Sequence, residues 1–66
     1  MTVGDLIKLN ELTAIGYPET NVRDALGIII ETLPIHGMNY HTILFPNVNK
    51  EREFPQHQLE LVSESR

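Results

Sequence analysis

The chain has no cysteine and no tryptophan, few cations and no long apolar run. Without thiols, neither a disulfide framework nor a thiolate zinc site can form, which fits a reducing compartment. The longest apolar stretch, Ala25 to Ile30, falls far short of the roughly 20 residues that a membrane-spanning helix requires. Met1 to Asp5 carries neither the basic region nor the apolar core of a signal peptide. Secretion by a signal peptide and membrane insertion are therefore not expected.

Scarce positive charge excludes a second class of partner. Five Lys and Arg oppose nine Asp and Glu, for a formal charge of −4. Residues 1–33 hold two cations against five carboxylates, and residues 34–66 hold three against four. Affinity for phosphate backbones grows with the number of Lys and Arg contacts, so a face able to hold nucleic acid cannot be assembled from these scattered cations.

What is present is a core-forming mixture, 41% hydrophobic and 21% charged. That is enough Ile, Leu and Val to collapse, and too apolar for a disordered tail. At 66 residues there is room for one core, close to the lower limit for folding without metal or disulfide. A partner that covers apolar surface would add stability by mass action. A protein partner is accordingly expected, and a homo-oligomer is open.

Period-two alternation marks the elements. Ile7 and Leu9 flank Lys8 in a first strand after a Gly-Asp turn. Asn10 to Ala25 lacks a pattern and reads as a long loop, with a short helical turn starting near Thr20 and Thr20 as its cap. Gly27 to Thr32 holds three β-branched residues in succession and reads as a central strand with two apolar faces. A turn across Pro34 to Asn39 leads to a strand at Tyr40 to Phe45. A polar turn at Pro46 to Lys50, a short strand at Arg52 to Phe54, a tight turn at Pro55 to Gln58 and a last strand at Leu59 to Val62 complete five strands. The expected core is Ile7, Leu9, Ile29, Ile43, Phe45, Leu59 and Leu61, with Phe54 also filling it.

Four stretches carry a resemblance: Val3-Gly4-Asp5-Leu6-Ile7-Lys8-Leu9, Gly27-Ile28-Ile29-Ile30-Glu31, Ile43-Leu44-Phe45-Pro46, and Phe54-Pro55 with Gln58-Leu59-Glu60-Leu61-Val62. Together they resemble the small SH3-like barrel proteins of tailed bacteriophages, cyanophages especially. The layout is also similar to small SH3-like accessory subunits of photosynthetic electron-transfer complexes, although the basic docking surface of those subunits is missing here. The resemblance implies a mainly β fold, a small SH3-like five-stranded barrel with one long early loop. It also implies a location in host cytoplasm or virion, while length and strand layout give a single domain over residues 1–62 with a frayed tail at 63–66. The function it implies is that of a non-catalytic phage accessory protein acting by protein-protein contact. A small structural virion component and a nucleic-acid-binding barrel are the alternatives.

No residue pattern signals chemistry. His36, His41 and His57 share no ligand spacing and read as surface or boundary histidines, so no metal site and no cofactor are expected. Glu51 and Glu53 alternate with Lys50 and Arg52 as on a solvated hairpin edge. The four glycines form no phosphate-binding run. An enzyme is not expected. Tyr17 and Arg23 in the long loop and Tyr40 at a strand start are the candidate contact residues for a protein partner, since Tyr and Arg favour interface centres.

Overall fold

Three consecutive isoleucines cannot settle into a helix without losing side-chain freedom, and they form the first half of the longest strand. The computed structural model describes residues 1–64, with strands β1 (Leu6–Leu9), β2 (Gly27–Ile35), β3 (Met38–Phe45), β4 (Lys50–Pro55) and β5 (Leu59–Ser63). Two short helices, α1 (Glu11–Gly16) and α2 (Thr20–Arg23), lie between β1 and β2, and a 3-10 turn, Gln56–Gln58, joins β4 to β5. All five strands form one antiparallel sheet in the order β4-β3-β2-β1-β5, with β2 central. The mainly β, five-stranded expectation holds.

Among the described residues no ladder joins β4 to β5, so hydrogen bonding leaves the sheet open. The 3-10 turn nevertheless brings its two ends to one corner. Asn10 anchors that corner, its amide N–H donating to the Gln58 carbonyl at 2.9 Å and its side-chain Nδ2 to the His57 carbonyl at 2.8 Å.

One face of this curled sheet encloses the core. Ile7, Leu9, Ile29, Ile43, Phe45, Phe54 and Leu59 are buried there, and Val22 from α2 closes it from the loop side. Removing each such side chain from water contributes about 1.5–3 kcal/mol. Leu61 was expected in this core but is 39% exposed. It pairs with Ile7 on one flank only, because β5 is an outer strand and no other strand among the described residues pairs with it.

His41 departs from the surface reading altogether and is fully buried. It shares the alternation of Ile43 and Phe45, which faces inward, and both ring nitrogens are engaged. Nδ1 lies 2.8 Å from Thr32 Oγ1, and Nε2 lies 2.9 Å from Gln56 Oε1. The Gln56 amide oxygen only accepts, so Nε2 donates to it, while the threonine hydroxyl can serve Nδ1 as either donor or acceptor.

The loop from Asn10 to Ala25 is more ordered than its sequence suggested. The turn near Thr20 is present as α2, although Glu19 rather than Thr20 holds the cap position, with no side-chain cap bond. Helix α1 was not anticipated. Asn10 caps it by accepting from the Thr13 amide at 2.9 Å, but α1 buries no side chain, so it offers no core-facing period to read. Ser63, expected to begin the frayed tail, extends β5 opposite Leu6, and residues 65–66 of that tail lie outside the described residues.

The turn between β2 and β3 is tighter than Pro34 to Asn39. Ile35 pairs with Met38, leaving only His36 and Gly37 in the loop, both at positive φ (50° and 77°) as a type I′ turn demands. Along β2, Ile29 pairs with Ile43 and Glu31 with Thr42, so Ile30 is an extra residue, a β-bulge. Beyond it the inward set changes. Thr32 joins His41 on the inside, while Glu31, Leu33 and Ile35 point outward.

Candidate functional site

The three contact residues named from the sequence occupy three different places. Tyr17 follows α1 and is half-buried, its ring 5.6 Å from that of Phe54. It borders an open groove with Asn10, Leu12, Thr13, Gly16, His57 and Gln58. Arg23 ends α2 and lines a separate groove on the other side of α1, where Lys8, Glu11, Asp24 and Glu60 mix both signs of charge. Tyr40 pairs with Leu33 and with Pro55 on the outer face of the sheet. Its neighbour His41 points inward beside Phe54, the ring on which Tyr17 packs, so Tyr17 and Tyr40 lie on opposite faces.

Tyr17 belongs to a clamp that fixes the long loop to β4. Arg52 donates from Nε to Glu19 Oε1 at 2.9 Å and from Nη2 to Oε2 at 3.1 Å, and from Nη1 to the Glu51 carbonyl at 2.8 Å. The Tyr17 hydroxyl lies 3.5 Å from Glu19 Oε1. Both charged partners are about one-third exposed. The guanidinium hydrogen bond holds the Glu19 carboxyl below its ordinary range, against a smaller opposing effect of burial, and the same bond raises Arg52. Such a bidentate pair sets direction as well as attraction, so it positions the loop.

A larger feature went unread in the sequence. The outer face of the β2–β3 hairpin places Leu33, Tyr40 and Pro55 side by side across three strands, with Ile35 and Met38 paired beyond them. Leu33 is 43% exposed and Met38 41%. The preceding row of this face is Glu31, Thr42 and Glu53, and Glu51 follows in the next, beside Leu44. The signal that could have found it is His36-Gly37 between Ile35 and Met38, a two-residue hairpin turn flanked by apolar residues. The bulge at Ile30 gave no such signal, because β-branched residues at 28, 29 and 30 fit either face.

The histidines lie apart, His36 at the hairpin tip, His41 inside and His57 in the 3-10 turn. Among the described residues no three His, Asp or Glu gather as a metal would need, and no helix is long and apolar enough to cross a membrane. Comparison with protein-family models, with curated proteins and with solved structures gave no match.

Proposed function

We propose that this domain is a non-catalytic protein-binding module. The observation that carries this reading is the apolar surface left uncovered. Among the described residues eight hydrophobic side chains are buried, whereas ten large ones are exposed, including Leu12 at 84%, Ile15 at 71% and the hairpin residues Leu33, Ile35 and Met38. Isolated exposed leucines are ordinary, but contiguous apolar patches rimmed by polar residues mark interaction sites. A chain so close to the size limit for a self-sufficient core gains most from a partner that covers such surface. That the partner belongs to a bacteriophage or its host is supported only by the likeness of the strand motifs to small phage barrels.

The test is photo-cross-linking in the native cell from a photoreactive amino acid placed at position 12, 38 or 47. Position 12 samples α1, position 38 the hairpin, and position 47 an exposed polar turn. A discrete heavier adduct from position 12 or 38, absent from position 47, supports the reading. Equal labelling from all three, or none from 12 and 38, contradicts it.

A further inference from the structure

The bulge at Ile30 produces a surface that the fold does not use. Without the extra residue, Leu33 and Ile35 would continue the inward set of Ile29, and Glu31 would be driven into the core. With it, Glu31 reaches solvent and the two apolar side chains join Met38, Tyr40 and Pro55 outside. Bulges serve in this way to re-aim side chains. The platform is stiff, since seven residue pairs and a two-residue turn fix the hairpin.

The charge around it has one sign. Glu31, Glu51 and Glu53 stand on this face of β2–β4, all exposed. The alternation sends Lys50 and Arg52 to the opposite face, in register with Phe45 and Ile43, and Arg52 is bound to Glu19. No cation of β2, β3 or β4 faces the patch. A phosphate-bearing surface is repelled by such a rim. A second copy docked face to face would set carboxylates against carboxylates, which is costly at an interface.

We propose that the outer face of the β2–β3 hairpin, centred on Leu33, Met38 and Tyr40, docks a protein surface whose apolar side chains are bordered by Lys or Arg. This rests on the reading of the domain as a protein-binding module, and it names the surface and the partner chemistry. The apolar centre supplies the attraction, and the carboxylate rim selects and orients the partner.

Two short peptides of one apolar sequence, flanked in one case by lysines and in the other by glutamates, serve as probes against the full chain labelled for amide NMR. The lysine peptide is expected to shift the amides of Leu33, Ile35, Met38 and Tyr40. Its affinity should exceed that of the glutamate peptide about tenfold at low salt, with the gap narrowing as salt screens the rim. The Glu31→Gln/Glu53→Gln variant should narrow the gap similarly while keeping the native spectrum elsewhere. Equal affinity for both peptides overturns the proposal, as does absence of shifts at the hairpin. Shifts centred on Leu12 and Ile15 overturn it too, yet leave the protein-binding reading standing, which an adduct from position 12 would support independently.

Discussion

Gly27 stands where β2 enters the sheet, and it is buried for want of a side chain. A Cβ built there would run into the Ile43 methyl Cγ2 and come within 3.1 Å of the Phe45 ring. Ile43 is fully buried and its methyl is fixed one bond from Cβ, so it has nowhere to withdraw. Gly27→Ala is expected to lower stability by about 1–3 kcal/mol, measured as a urea unfolding midpoint. The Glu19–Arg52 clamp makes a pH-dependent contribution. Because the folded Glu19 pKa is lowered, the stabilisation is complete above the ordinary value of 4.5 and is lost as pH falls below it, through the lowered folded value. Unfolding midpoints of the native chain and of Glu19→Gln should therefore differ at neutral pH, with the native chain more stable, and converge in acid. A constant difference across that range would show that the charge of Glu19 contributes nothing. Residue burial was legible where side chains were apolar, at Ile7, Ile29, Ile43 and Phe45. It failed at His41, whose inward position the same alternation implied, because a polar ring suggests the surface until its partners, Thr32 and Gln56, are known.

At the scale of elements, what could be read depended on whether a repeating period faced the core. The five strands did, and their order of appearance followed from alternation and turn residues. Helix α1 did not, since its Leu12 and Ile15 point to solvent and only the Asn10 cap and Gly16 end mark it. The Ile30 bulge escaped because a register shift is decided by what Glu31 and Thr32 gain from solvent and from His41 across the hairpin, contacts that the pattern of β2 alone does not reveal. The β2–β3 turn carries the clearest prediction at this scale. His36 holds φ of 50°, a left-handed conformation that costs a histidine more than an asparagine, and Asn-Gly is the favoured pair for this turn. His36→Asn should raise stability by about 0.5 kcal/mol, read as an upward shift of the thermal midpoint. No shift, or a fall, would mean that the His36 side chain makes a compensating contribution to the hairpin.

Taken whole, the molecule divides its apolar residues between two surfaces of one sheet. The inner surface, with Ile29, Ile43 and Phe45, holds the fold together, and the outer surface at the hairpin, with Leu33, Ile35 and Met38, stays in water. The mainly β class was legible from composition and period, while the division was not, because it turns on a single inserted residue. If the hairpin side chains serve a partner rather than the fold, replacing them with residues of equal strand preference should leave folding intact. Equilibrium urea unfolding of the Leu33→Thr/Met38→Thr variant tests this most directly, with Ile29→Ala as the reference for a core change. The expected loss is within about 0.5 kcal/mol for the double variant and about 2–5 kcal/mol for Ile29→Ala. A loss in the double variant as large as that of Ile29→Ala would place Leu33 and Met38 in the core and contradict the docking face.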